Sequence, residues 1–295
     1  MLSLHTLLRG SIDYAGLFPP AGLGMAEAVA NYASYRESPH AWALGRLVVP
    51  VSRLGELEEA ADGILQQGPW RIAAILGSDA GADLNTLEEF NRRHAVHDAG
   101  AVIADVVETK ADSAGAVERV LAAVPASIQG YVEIPPDRGL VELIAAIRRS
   151  GGRAKIRTGG VTSDAFPPAE AVVRFIRACL DAGVPFKATA GLHHPLRAEY
   201  RLTYAPDSSC GTMFGFLNLF LATVFMAHGL DDHEAEELLE ERDPRSLQMD
   251  QAGIAWRGRL VDVDAIARTR ETGIVSFGSC SFTEPVGDLR SLGLL

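Results

Sequence analysis

Lysine is nearly missing from this chain: Lys110, Lys155 and Lys187 stand alone against twenty-four arginines in 295 residues. Each falls at or just after the end of an apolar β-type run. Arginine replaces lysine on a solvated surface with little loss. It cannot supply a compact amine whose pKa falls on burial or which condenses with a carbonyl. The three survivors are therefore the first places to look for an amine with a task. Cysteine is equally scarce. Cys179, Cys210 and Cys280 are an odd number without CxxC spacing, so neither a disulfide framework nor a zinc site is signalled, and a reducing compartment is expected. Basic charge is also short, with 27 Lys and Arg against 38 Asp and Glu for a net charge of -11. Nucleic acid and anionic membrane surfaces demand a basic stripe and are not expected as partners, whereas a small anion needs only a local positive cluster. The longest apolar run, 214–227, is broken by Asn218 and is too short to span a bilayer, and no charged segment followed by an apolar one opens the chain. A soluble, cytoplasmic protein is the expectation. No GxGxxG follows an early strand.

What is present is an alternation of short β-branched runs with longer helical patterns, the sign of parallel βα units. Strands are expected over 11–17, 46–51, 71–76, 101–107, 127–134, 153–157 and 185–189. Helices are expected over 25–36, 54–65, 84–94, 114–123, 140–149 and 168–182. Gly151, Gly152 and Gly183 stand where helices commonly stop. The segment 211–228 is apolar nearly all round and reads as a buried helix, packed on the body of the protein or on a second subunit, which leaves a homo-oligomer open. A charged helix follows over 232–242. An eighth strand is read at 253–256, with a helix over 263–269. Eight such units in roughly 250 residues is the usual size of a (β/α)8 TIM-type barrel. The fold class read is thus α/β: one barrel domain over 1–295, its C-terminal tail near the barrel mouth. An open doubly wound sheet is the competing architecture, weakened by the missing dinucleotide fingerprint.

Strand side chains alternate, so Lys155 and Arg157 share a face, as do Lys187 and Thr189, and Tyr131 and Glu133. Neighbouring strands then bring Glu133, Lys155 and Lys187 side by side, too costly to aim at an apolar helix layer and so directed into the barrel mouth. Two close amines lower one another's pKa, and a carboxylate beside them can shuttle protons. A purely structural ion cluster is the alternative.

The segments Ala154-Lys155-Ile156-Arg157-Thr158-Gly159-Gly160 and Phe186-Lys187-Ala188-Thr189-Ala190-Gly191-Leu192 resemble the paired lysine strands of class I aldolases of the deoxyribose-phosphate aldolase type. The resemblance covers about a dozen residues. It implies a Schiff base on Lys155, a pKa-lowering role for Lys187 and an acidic relay, for which Asp105 is the nearest position. Arg157 and the pair His193 and His194 depart from that pattern, which points to a distant relative with another substrate.

Adjacent in extended chain, His193 and His194 point to opposite sides, so one of them is a candidate substrate contact or acid–base group and both do not ligate one metal. A metal site assembled from Glu133, Asp105 and one histidine is not asked for by the spacing, and no cofactor is expected. Two small-residue segments are candidate anion cradles: 207–212, with Ser209 at an expected helix start, and 277–282, with Ser279. Asp13 and Tyr14, before a proline turn, are within reach of the mouth. Cys210 at a helix start and Cys280 are candidate nucleophiles, and Cys179 reads as core. The leading expectation is a lyase-type enzyme forming a lysine imine with a small anionic carbonyl compound, with Arg157 as its clamp. An isomerase or proton-transfer enzyme using the lysines electrostatically, and a non-catalytic small-ligand-binding barrel, are the alternatives.

Overall fold

A computed structural model describes residues 1–64, 69–95 and 102–295 of the chain. Leu65 and Ala101, at the ends of two expected elements, lie outside the described residues. Helix α1 (Leu2–Leu8) precedes β1 (Ile12–Tyr14), α2 (Met25–Arg36), β2 (Leu44–Pro50), α3 (Leu54–Ala61) and β3 (Trp70–Ile75). The alternation continues through α4 (Ala80–His94), β4 (Val102–Lys110), α5 (Ala114–Ala123), β5 (Gln129–Glu133), α6 (Leu140–Arg149), β6 (Arg153–Arg157), α7 (Ala169–Ala182) and β7 (Phe186–Thr189). Then come an antiparallel hairpin, β8 (Ala198–Arg201) and β9 (Cys210–Met213), helices α8 (Phe216–Ala227) and α9 (Asp232–Leu239), and a small antiparallel sheet of β10 (Leu247–Met249), β11 (Gly253–Trp256) and β12 (Arg259–Asp262). Helix α10 (Val263–Thr272), β13 (Ile274–Ser279) and α11 (Thr283–Ser291) complete the chain.

Strands β1 to β7 and β13 close into one parallel barrel, β13 pairing with β7 on one side and β1 on the other. This is the (β/α)8 architecture, and closure excludes the open doubly wound sheet. The eighth barrel strand is β13, not 253–256 as the sequence suggests. The latter segment pairs antiparallel on both sides, with β10 and β12. Strand β13 hides because its inward positions, Ser276 and Gly278, are small, so 277–282 imitates a turn.

The barrel is lined low down by Val48, Ala73, Val106 and Tyr131, while the larger apolar shell lies between strands and helices. In α7, Val172, Val173, Phe175, Ile176 and Cys179 supply its inner face, and Gly183 at φ 62° ends it. Helix α8 is buried from Phe216 through Met226, and Phe216 stacks on Phe277 of β13 at 4.9 Å. Its burial is complete within this one chain, against β13, α7, α9 and α10. It begins at Phe216 rather than 211, because Cys210–Met213 is a hairpin strand. Among the described residues no helix is long and apolar enough to cross a membrane.

One irregularity decides which acidic residue of β4 faces inward. Ile72 of β3 pairs with Ala104, but the next residue, Ala73, pairs with Val106. Asp105 is the extra residue of a bulge, and the alternation reverses across it. Ala104 belongs to the outer shell, whereas Val106 lies inside the barrel. Glu108 and Lys110, two and four residues on, therefore face inward as well.

Candidate active site

The register sets a row of polar residues across five strands near their C-terminal ends: Lys110 pairs with Glu133, Glu133 with Lys155, Lys155 with Lys187, and Lys187 with Ser276. All three lysines of the chain line one cavity of about 570 Å³ at this end of the barrel. Glu108 reaches the row from β4 and stands between two amines. Its Oε1 accepts from Lys187 Nζ at 2.6 Å, and its Oε2 pairs with Lys155 Nζ at 2.8 Å. Lys187 also donates to Asp13 Oδ2 at 2.5 Å, and Asp13 is fixed by Ser276 Oγ at 2.8 Å and the Arg46 backbone N–H at 2.8 Å. Lys155 has a second carboxylate, Glu133, at 3.0 Å, which is shared with Lys110 at 3.3 Å and Arg157 at 3.2 Å.

These pairings set the electrostatics. Burial opposes ionisation of Glu108, but Lys155 and Lys187 overcome it and hold its pKa at about 2. Burial likewise opposes charge on Lys187, yet Asp13 and Glu108 push its pKa above the usual lysine value. The expected mutual lowering of two amines is thus not what Lys187 undergoes, because a carboxylate stands between them. Glu133 is also held below the ordinary glutamate value, Lys155 and Arg157 outweighing its burial. At formal charges the cluster sets three carboxylates, Asp13, Glu108 and Glu133, against four cations, Lys110, Lys155, Lys187 and Arg157. One positive charge is left over, inside a protein of net charge -11.

Arg157, Thr189 and His193 line the same cavity as Glu133, Lys155 and Lys187, so six of the expected site residues are brought together. Asp13 lies beneath them, 1% exposed, holding Lys187. Ser279 is buried behind His193, with Oγ 3.4 Å from its Nδ1. The loops after β6 and β7 approach closely there. A Cβ on Gly159 would fall 2.5 Å from the Phe166 ring and 3.0 Å from Gly191 Cα, which explains glycine in both lysine segments. Ala190 holds φ 66°, a left-handed conformation costly for a side chain with Cβ, at the cavity wall.

Three expected site residues lie elsewhere. Asp105 turns away at the bulge, toward the opposite end of the barrel, where Arg46 grips it at 2.6 and 2.8 Å and Arg71 at 3.2 Å. His194 pairs with Asp288 Oδ2 at 2.6 Å and stacks on Tyr200, outside the cavity lining. Ser209 is exposed in the β8–β9 hairpin, so 207–212 is no cradle at a helix start. Cys210 opens β9 and is exposed, Cys179 is core, and Cys280 lines the cavity with burial raising its pKa. Glu108 and Lys110 are cavity residues the sequence reading did not place in the site. The alternation Val106, Glu108, Lys110 carried the signal.

On the loop after β7, His193 Nδ1 faces Ser279 Oγ, Cys280 Sγ at 3.6 Å and Glu284 Oε2 at 3.6 Å. Tyr204, reaching over from the hairpin, donates to Glu284 Oε2 at 3.1 Å and lies 3.4 Å from Cys280 Sγ. Among the described residues no group of three His, Cys, Asp or Glu is placed to hold a metal ion. No family model matches this chain, and no curated protein matches it.

Proposed function

We propose that the protein is a lyase-type enzyme acting on a small anionic carbonyl compound, an oxo acid or sugar phosphate, through an imine on Lys155. The observation that carries this reading is a lysine amine on the wall of a 570 Å³ cavity, flanked by carboxylates on both sides and by a second amine in register with it. Lys155 suits the nucleophile better than Lys187. Lys187 is 2% exposed and its two carboxylates hold it as an ammonium. Both carboxylates of Lys155 are shared with other cations, Glu108 with Lys187 and Glu133 with Lys110 and Arg157.

In this reading the Lys155 ammonium gives a proton to Glu133 or to water, and its nitrogen adds to the substrate carbonyl carbon. The carbinolamine loses its hydroxyl as water, and the resulting iminium keeps the positive charge between Glu108 and Glu133. The Cα–Cβ bond then breaks and its electron pair passes to the iminium to give an enamine, while a base removes the proton of the β-hydroxyl and that carbon leaves as an aldehyde; protonation of the enamine and hydrolysis by water free Lys155. Arg157, half exposed at the mouth, and the surplus positive charge favour an anionic substrate.

The test is cleavage of a panel of oxo acids and sugar phosphates by wild type, K155R and K187R. Loss of turnover by at least about 10³-fold in folded K155R supports the imine, because arginine keeps the charge but forms no imine. The pairing of both ammonium groups with carboxylates favours a second reading, electrostatic stabilisation of an enolate by the two lysines. Turnover retained in K155R selects it.

A further inference from the structure

Each carboxylate beside Lys155 is already committed to two or more cations, which leaves the lysine wall poor in free base. The loop after β7 supplies one. His193 is 8% exposed and lines the cavity, and its Nδ1 is occupied by Ser279, Cys280 and Glu284. Its Nε2 makes no hydrogen bond among the described residues, so it is the ring nitrogen left for a molecule in the cavity that His193 lines.

We infer that His193 Nε2 is the proton-transfer group of this cavity, taking a proton from the carbon next to the imine carbon, with Glu284 and Tyr204 as positioning residues. The inference rests on the imine reading. The step balances: the α-carbon–hydrogen bond breaks, its proton goes to Nε2, and its electron pair forms the carbon–carbon double bond of an enamine as the iminium nitrogen becomes neutral. A proton on Nδ1, toward Ser279 Oγ and Cys280 Sγ, leaves the Nε2 lone pair free, and Glu284 Oε2, 3.6 Å from Nδ1, stands beside the imidazolium that forms. Tyr204 fixes Glu284 by donating to Oε2. Burial, with His194 nearby, lowers the His193 pKa to about 4, so the ring is neutral at physiological pH. His194 itself belongs to Asp288 and Tyr200.

The experiment separates the two claims. Wild type, H193Q and E284Q are incubated with pyruvate in deuterium oxide, and methyl-proton exchange is followed by NMR while borohydride trapping is measured in parallel. The expected result is exchange in wild type, lowered by about 10² or more in H193Q, with the trapped adduct retained. E284Q is expected to exchange more slowly than wild type with its trapping unchanged. Undiminished exchange in trapping-competent H193Q overturns the inference. Absence of trapping in wild type with pyruvate and with every other oxo acid and sugar phosphate of the panel contradicts the imine reading instead, and His193 is then decided by a measurement that needs no substrate. Diethyl pyrocarbonate at pH 5.5 is expected to modify His193 ahead of ordinary histidines, which are largely protonated there. An unmodified His193 overturns the open, neutral imidazole.

Discussion

The two ends of the barrel neutralise their carboxylates, partly buried at one end and buried at the other, with different cations. At the N-terminal end Asp105 is held by Arg46 and Arg71, the first through a two-point contact at 2.6 and 2.8 Å. At the C-terminal end Asp13, Glu108 and Glu133 are held chiefly by lysines, the only three in the chain, with one arginine at the rim. Charge neutralisation alone does not ask for lysine, since arginine does that work at the other end. What lysine adds is a compact point donor and a nitrogen that gives up its proton and bonds to carbon. One end is fastened by arginine, and the other sets its amines on the wall of a cavity.

The largest expected effect separates the ends by charge. E108Q removes the anion between two buried amines, and denaturant unfolding is expected to show a loss of about 3–5 kcal/mol. A loss under ~1 kcal/mol breaks the picture of a shared counterion. Acid titration sharpens the same point. Because the Glu108 pKa is depressed from 4.5 to about 2, its stabilisation is complete above 4.5 and is lost as the pH falls toward 2. His193, lowered from 6.5 to about 4, removes stability over that higher interval, where its unfolded form binds the proton first. Denaturation midpoints are therefore expected to fall twice in wild type, between 6.5 and 4 and again below 4.5, with the second fall flattened in E108Q. At the fastened end, R46K keeps the charge but loses the fork on Asp105, with an expected cost of about 1.5 kcal/mol and no change in cavity chemistry. The smallest effect belongs to R71A. Its side chain is 68% exposed, and a loss under about 1 kcal/mol is expected in the same unfolding assay.

Most of the barrel is legible in the sequence, because long apolar helices and β-branched runs keep their periods through the first seven units. Two readings mislead. The acidic relay implied by the resemblance of the lysine strands falls on Asp105. The inserted residue instead carries it to the far end and gives the place to Glu108. Strand β13 reads as a turn because Ser276 and Gly278 leave room for Asp13 and Thr189 in a crowded mouth. The antiparallel excursion between β7 and β13 is invisible to a rule that counts βα units, and it supplied the false eighth strand at Gly253–Trp256. The lysine row was readable because alternation on two neighbouring strands needs no long-range knowledge. Glu284 and Tyr204 were not, since only the folded mouth brings Glu284 to His193 and Tyr204 to Glu284.

The most direct test is the mass of the peptide that borohydride fixes after incubation with pyruvate. The reduced adduct is expected on Lys155, absent in K155R and retained in R46K. An adduct on Lys187 or Lys110, or none with any oxo acid or sugar phosphate under conditions where the protein is folded, contradicts an imine on Lys155.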